Sequence, residues 1–132
     1  MAKAKKMKQI SFEMPDKAGL LSEITRVIAE GKINLTAICA YAMENKAYFM
    51  LNADSAAKAK KAIAGLGVKA TEDDVVGVEL LNKPGELHKV AKKIGDAGIN
   101  IHYMYATAGA GKSSACILKT SDDKKVISLV NK

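Results

Sequence analysis

This chain contains an internal repeat. Its 132 residues align with themselves at an offset of 66 positions without a gap, so that Glu13, for example, recurs as Glu79. The other matched positions include Lys17, Gly19, Leu21, Ile28, Ile33 and Asn34, which recur as Lys83, Gly85, Leu87, Ile94, Ile99 and Asn100. A long period with only two copies indicates a duplicated domain, because solenoids stack about three or more units.

Each copy opens with the pattern of a half-buried strand followed by a helix. Large apolar residues first alternate with small or polar ones, which is the period of a strand with one buried face. These residues are Ile10, Phe12 and Met14, with Val76, Val78 and Leu80 in the second copy. Apolar residues then recur every three or four positions, as in an amphipathic helix. They are Leu21, Ile24 and Ile28, matched by Leu87, Val90 and Ile94.

The rest of each copy predicts a hairpin and a second helix. Residues 33–43 and 99–109 are rich in apolar and β-branched side chains, and each segment precedes a short turn and another apolar run. An Ala/Lys helix follows at 55–65, with Asp54 or Ser55 as its N-cap, and its counterpart begins at Ser121. Residues 68–70 then predict a fourth strand, and residues 71–74 a linker.

The predicted fold is therefore α+β, with two tandem ferredoxin-like βαββαβ domains at 1–72 and 73–132 and a basic amino-terminal tail at 1–6. Short connections and right-handed crossovers would give each domain an antiparallel sheet with two helices on one face. The second copy stops before its last strand, so we expect that strand to be missing or to be donated by the amino terminus or a partner chain. Because exposed strand edges invite pairing, we expect a homodimer formed through sheet edges or helices.

The charge and composition of the chain limit the functional classes to which it can belong. The net charge is +7, but four of the lysines lie in the first eight residues, which resemble a frayed terminus, and Arg26 is the sole arginine. Specific nucleic-acid readers rely on arginine, so nucleic acid is not an expected partner. No apolar run approaches the roughly 18 residues of a membrane span, and no secretory signal is present, so we expect a cytoplasmic protein. Cys39 and Cys116 are isolated and are interpreted as buried hydrophobes, and neither a disulfide, a metal nor a cofactor is expected.

Four short segments resemble the ACT domain family, in particular its small stand-alone proteins with two ACT copies and no enzyme attached. They are Met-Pro-Asp-Lys-Ala-Gly-Leu-Leu at 14–21, Leu-Asn-Lys-Pro-Gly-Glu-Leu at 81–87, Lys-Ile-Asn-Leu at 32–35 and Ala-Gly-Ile-Asn-Ile at 97–101. The resemblance covers nearly the whole chain. It implies a non-catalytic regulatory protein that binds an amino acid or a similar small metabolite at the junction between paired domains.

The same resemblance suggests a ligand site in each copy. A ligand carboxylate needs N–H donors, and a loop that enters a helix offers unpaired backbone N–H groups and the positive end of the helix dipole. Gly19 and Gly85 would allow close backbone approach. Asn82 and Asn100 match an asparagine pair that binds the regulatory amino acid in a family member. The predicted ligand-binding residues are Asp16, Gly19, Leu20 and Asn34 in the first copy and Asn82, Gly85, Glu86 and Asn100 in the second. Since an aspartate only accepts hydrogen bonds, the two sites would not be equivalent.

Alternative interpretations remain open at this point. The asparagines could simply satisfy local backbone groups in turns. The RNA recognition motif shares the βαββαβ order, and an RNA-binding module is the alternative function. Tyr48 and Phe49 are adjacent and should face opposite sides of the sheet, whereas Tyr103 and Tyr105 share a face but lie on the second strand of their copy. His88 and His102 lack a readable catalytic partner, so no enzyme is expected.

Overall fold

A computed structural model describes residues 2–108 and 110–132. Over these residues the chain forms six strands and four helices in the order βαββα, βαββα. Gly109, which the hairpin prediction included, lies outside the described residues. The elements are β1 (Lys3–Pro15), α1 (Leu20–Glu30), β2 (Leu35–Met43), β3 (Lys46–Ala53), α2 (Ala56–Ala64), β4 (Thr71–Leu81), α3 (Glu86–Asp96), β5 (Ile101–Ala108), β6 (Ser113–Thr120) and α4 (Asp123–Val130).

These elements form two compact units. The first unit is Lys8–Asp73, and the second is Asp74–Lys132 together with the amino-terminal residues up to Met7. The predicted α+β class and the ferredoxin-like architecture are confirmed. The predicted domain ranges of 1–72 and 73–132 stay a prediction.

The first unit has the strand order β2–β3–β1–β4, and β3 runs antiparallel to both β1 and β2. Ile10 lies opposite Leu51 and Phe12 opposite Phe49, and the two phenylalanine rings stack with centroids 5.0 Å apart. Both helices cover this same face of the sheet. Their buried residues are Leu20, Ile24 and Ile28 of α1 and Ala59 and Ile63 of α2.

The second unit repeats this arrangement, with the strand order β1–β4–β6–β5. Val76 lies opposite Leu118 and Val78 opposite Cys116, and these residues pack against the buried faces of α3 and α4. Burial raises the pKa of the Cys116 thiol to about 11, so it stays protonated as the sequence interpretation requires. Cys39 is only half-buried, because it lies on the edge strand β2.

The junction between the copies differs from the prediction. Residues 68–70 are not a strand and residues 71–74 are not a linker, because β4 is one continuous strand from Thr71 to Leu81. Within this stretch, Asp74 has partners in the neighbouring strands β1 and β6. Asp74 pairs with Lys6 at 3.2 Å, and its carbonyl accepts a hydrogen bond from Lys119 Nζ at 2.8 Å.

The amino terminus also differs from the prediction, since residues 3–6 are strand and not a frayed tail. Residues 3–7 take the place of the strand that the second copy lacks. The Ala4 N–H donates to Asn131 Oδ1 at 2.7 Å, and Asn131 Nδ2 donates to the Ala4 carbonyl at 2.8 Å. Ala4 is buried in the same core as Val126 and Val130, and Met7 occupies the space that a Cβ on Gly77 would need. In this structure the donor of the missing strand is therefore the chain itself.

No helix in the described part of the chain is long and apolar enough to cross a membrane.

Candidate functional site

The loops that enter α1 and α3 have the same unusual start in both copies. Each helix begins after a glycine in the left-handed region, Gly19 at φ 84° and Gly85 at φ 85°, with no side-chain cap. By contrast, Ser55 caps α2 by accepting from the Lys58 N–H, and Asp122 caps α4 by accepting from the Lys125 N–H. The first-turn N–H groups of α1 and α3 thus lack the side-chain acceptor that α2 and α4 have. The Glu86 N–H donates to the Lys83 carbonyl at 3.4 Å, and the N–H groups of the next two residues of each helix can face solvent or an anionic group.

Open space surrounds both glycines. A Cβ added at either position would meet nothing within 4 Å. The requirement for glycine therefore comes from the positive φ, which side chains with a Cβ adopt only at a cost. The close approach of a ligand, predicted from the sequence, is sterically open but is not what requires glycine in this structure.

The loop residues Asp16 and Asn82 are held by the adjacent hairpins. The Asp16 N–H donates to the Asn45 carbonyl at 3.0 Å, and the Asn82 N–H donates to the Lys112 carbonyl at 2.9 Å. Asn82 Nδ2 also donates to the Gly111 carbonyl at 3.1 Å. The side chain of Asn82 thus bonds to a backbone carbonyl, as expected if this asparagine satisfies backbone groups in a turn.

Asn34 and Asn100 are held through the main chain instead. The Asn34 N–H donates to Asp54 Oδ1 at 3.2 Å, and the Asn100 N–H donates to Ser121 Oγ at 3.0 Å. Their carbonyls accept from the N–H groups of the same two residues, at 3.0 and 2.9 Å. Both asparagines are exposed, and among the described residues neither side-chain amide has a hydrogen-bond partner. The local hydrogen bonds of Asn34 and Asn100 therefore involve only their main chains, and their side-chain amides are available for another role.

Leu20 and Glu86, the first helical residues, have different environments despite their matched positions. Leu20 is buried in the core, so only its backbone could contact a ligand. The side chain of Glu86 is largely covered, and Lys89 Nζ lies 2.8 Å from its Oε2. The hydrogen bond from Lys89 lowers the pKa of the Glu86 carboxyl. A second carboxylate beside Glu86 would be repelled, which makes the side chain of Glu86 a poor contact for the acid group of a ligand.

The structure does not bring the two asparagines of one copy together. Asn82 contacts the residue before β6, whereas Asn100 contacts the residue after it. Eight residues of strand separate these ends, roughly 27 Å at about 3.4 Å per residue. A small ligand bound within one copy therefore cannot contact both Asn82 and Asn100 in this structure. Asp16 and Asn34 are separated by β3 in the same way, because each helix returns the chain to the opposite end of the sheet.

An open groove adjoins the Asp16 loop. Its volume is about 410 Å³, and its lining residues are Glu13, Met14, Pro15, Glu44, Asn45 and Lys46. Lys46 Nζ lies 3.9 Å from Glu13 Oε2, and both side chains are more than half exposed. This groove was not predicted from the sequence. The recurrence of Glu13 and Lys46 as Glu79 and Lys112 was the available signal.

Aromatic residues of the first unit do not form the base-stacking pair of an RNA recognition motif. Phe49 is buried against Phe12, and Tyr48 lies on the other face, where its ring stacks on Tyr41 at 5.2 Å. The adjacent residues thus face opposite sides, as the sequence predicted. His88 and His102 are exposed, and no group of three or more potential metal ligands occurs among the described residues.

Comparisons with known proteins agree with this architecture. The family model described as "ACT domain pair" matches residues 5–132. The crystal structure of protein BT0572 from Bacteroides thetaiotaomicron is similar, with 31% identity and a TM-score of 0.87 over 96% of this chain and 87% of that one. The ligand-free regulatory subunit of aspartate kinase from Thermus thermophilus has the same fold, with 18% identity and a TM-score of 0.72 over 94% of this chain and 90% of that one. A comparison with curated protein sequences finds no significant match.

Proposed function

Because the chain belongs to the ACT domain pair family, we propose that it is a regulatory protein without catalytic activity that binds an amino acid or a similar small metabolite. The observation that carries this proposal is the shared start of α1 and α3. Both helices begin after a left-handed glycine and lack a side-chain cap, whereas the other two helices are capped. A carboxylate placed there would accept hydrogen bonds from several N–H groups in the favourable field of the helix dipole.

The separation of the predicted residues suggests how a site is completed. Each copy has a loop half-site, at Asp16 and Gly19 or at Asn82 and Gly85, and a distant exposed asparagine, Asn34 or Asn100. No amino acid can span the length of an eight-residue strand. We therefore propose that a loop half-site of one chain and an asparagine of a second chain bind the same ligand in a homodimer. The asparagine amide, which both donates and accepts, suits a zwitterionic ligand.

Thermal-shift measurements with the twenty amino acids, added singly, test the proposed function. An amino acid that binds the native state should raise its stability by about 2.7 kcal/mol at 100 times its dissociation constant. This corresponds to a rise in Tm of several degrees for a protein of this size. An absence of any shift, together with RNA binding that weakens steeply with salt, would contradict the proposal and favour the RNA-binding alternative.

Asn100→Ala is the sharper variant for the ligand site. Its main-chain hydrogen bonds to Ser121 are kept, so fold stability should change little. Loss of one hydrogen bond to a charged group should weaken ligand binding by about 1.5–3 kcal/mol, or roughly ten- to a hundredfold. The effect of Asn82→Ala is harder to assign to ligand binding, because this change also removes the hydrogen bond to the Gly111 carbonyl. Unchanged affinity in a folded Asn100→Ala protein would exclude this asparagine from the site.

A further inference from the structure

The sheet of the second unit has an open face, which is the face that α3 and α4 do not cover. These helices pack on the side of Leu118, so the residues that alternate with Leu118 in β6 lie on the open face. In β5, Tyr105 is paired with Ile117 on this face, and Tyr103 lies two positions away on the same side. Both tyrosines are half-buried. Aromatic residues with this spacing stack neighbouring bases in RNA recognition motifs.

The middle of the open face is low and apolar. Ile117 is only 3% exposed, and its partner in β4 is Gly77, which has no side chain. Met7 of β1 lies over Gly77, because its sulfur occupies the space that a Cβ there would need. Together with Tyr105 these residues form a row across four strands, about 14 Å long at about 4.8 Å between strands. A planar base lying on this row would meet apolar surface.

Lysines border this row on the β1 side. Ala4 is buried in the core of the unit, so its exposed neighbours Lys3 and Lys5 lie on the open face. Neither lysine has an ion-pair partner among residues 2–108 and 110–132. Glu79 of β4 is exposed, and it is the one acidic residue that the described strands of this unit place on the open face. The face therefore has positive charge on one side and aromatic rings on the other.

The positive charge of the chain is concentrated in this unit. Residues 1–7 and 74–132 include 12 lysines and six acidic residues, whereas residues 8–73 include nine basic and eight acidic residues. A polyanion is therefore attracted to the second unit much more than to the first.

The corresponding face of the first unit lacks this combination. At the repeat offset, small, polar or acidic residues replace Tyr103, Tyr105, Lys5 and Met7. In that order, the replacements are Ala37, Cys39, Thr71 and Asp73. The tyrosines of the first unit, Tyr41 and Tyr48, stack on each other, and Glu13 lies opposite Tyr48. Because both copies form the same fold, the fold itself does not require the tyrosines and lysines of the second unit.

We propose that the open face of the second unit binds single-stranded nucleic acid, with bases on Tyr103 and Tyr105 and phosphates near Lys3 and Lys5. Every base has a face that can stack, and lysines contact phosphates without reading sequence, so binding is largely independent of sequence. Specific readers use arginine forks, and the sole arginine, Arg26, belongs to the first unit. A four-stranded sheet accommodates two or three stacked bases, which favours a strand over a single nucleotide. This inference goes beyond the proposed amino-acid binding and uses none of its residues.

Fluorescence anisotropy of the full-length chain with a labelled oligouridylate of about 12 nucleotides tests the proposal. The wild-type protein should bind it with an affinity that falls steeply with salt. Tyr105→Ala should weaken binding about 5- to 150-fold, because one stacked base is lost, and Tyr105→Phe should keep most of the affinity. Lys5→Gln should reduce the slope of log affinity against log salt by about 0.7, the value for one phosphate contact to a single strand. Glu79→Gln should tighten binding, because it removes a repelling carboxylate. The matched control is Tyr41→Ala in the first unit, which should bind as the wild type does.

Several outcomes would overturn the proposal. They are the absence of oligouridylate binding at low salt, equal affinity for a duplex of the same length, and a loss in Tyr41→Ala as large as that in Tyr105→Ala. If Tyr105→Ala does not fold, the comparison of Lys5→Gln with Glu79→Gln decides, since affinities that do not move in opposite directions contradict the assigned face. An amino-acid thermal shift that persists in Tyr105→Phe and Lys5→Gln shows that the metabolite site is intact, so the two proposals can fail separately.

Discussion

At position 85 the backbone conformation, and not the available space, decides which residue is tolerated. Gly85 has a positive φ at the start of α3, while Gly95 of the same helix has no positive φ, and neither has an atom within 4 Å of a potential Cβ. Gly85→Ala should therefore lower the free energy of unfolding by about 1–2 kcal/mol. Gly95→Ala should raise it by about 0.5–1 kcal/mol, because alanine favours the helix. Urea denaturation of the two variants measures this contrast, and equal effects would contradict it.

Asp123 should control part of the acid stability. Burial would raise the pKa of its carboxyl, but hydrogen bonds from Thr120 and Lys119 at 2.7–3.0 Å outweigh burial and hold the pKa below its ordinary value. A lowered folded-state pKa adds stability that is fully present above the ordinary aspartate pKa of about 3.9 and is lost as the pH falls through the folded-state value.

Asp123→Asn should accordingly cost roughly 1.5–3 kcal/mol at pH 7 and progressively less below about pH 4. The matched control is Asp96→Asn, which removes an exposed ion pair with Lys92 and should change stability by about 0.5 kcal/mol or less. Urea denaturation at pH 7 and pH 3 gives both values. A difference between wild type and Asp123→Asn that does not shrink in acid would contradict the assignment.

At the level of elements, most strands and helices were predictable because each sequence pattern occurs in both copies. Ile10 and Phe12 with Val76 and Val78 predicted the inward face of β1 and β4 correctly. The joined strand β4 was not predictable in this way, because residues 72–74 are acidic and the partners of Asp74, which are Lys6 and Lys119, are distant in sequence. The distance between Asn82 and Asn100 could not be predicted for a similar reason. Sequence spacing does not show that a helix returns the chain to the opposite end of the sheet.

The contact between β1 and the carboxyl-terminal end of α4 depends on one amide side chain. Asn131 both donates to and accepts from the backbone of Ala4, as a neighbouring strand would. Asn131→Ala should lower the stability of the second unit by about 1–3 kcal/mol, because two partly buried hydrogen bonds are lost. Asn131→Asp loses the donor and places a carboxylate oxygen against the Ala4 carbonyl, so it should destabilise the protein at least as much as Asn131→Ala. Thermal denaturation ranks the two variants, and an Asn131→Ala protein as stable as wild type would show that the contact contributes nothing.

For the whole molecule, the two units should respond differently to removal of the amino terminus. Residues 3–7 belong to the second unit, and Ala4 packs in its core. Deletion of residues 2–6 should therefore expose the edge of β4 and accelerate amide exchange in α4, while the helices of the first unit, α1 and α2, keep their protection. Hydrogen exchange followed by mass spectrometry measures both units in one sample. Equal loss of protection in both units would show that they unfold as one.

The shared strand β1 also determines an order of events during synthesis. Ala4 and Asn131 are 127 positions apart, so at about 5–20 residues per second the ribosome adds Asn131 roughly 6–25 s after Ala4. The first unit requires no residue beyond Asp73 and can fold while the remainder is being translated. Residues 10–15 of β1 pair with β3 in the first unit, whereas residues 3–7 find their partners only in the second half of the chain. We therefore expect the folded first unit to keep residues 3–7 close to the forming second sheet, which shortens the loop that has to close and lowers its entropy cost.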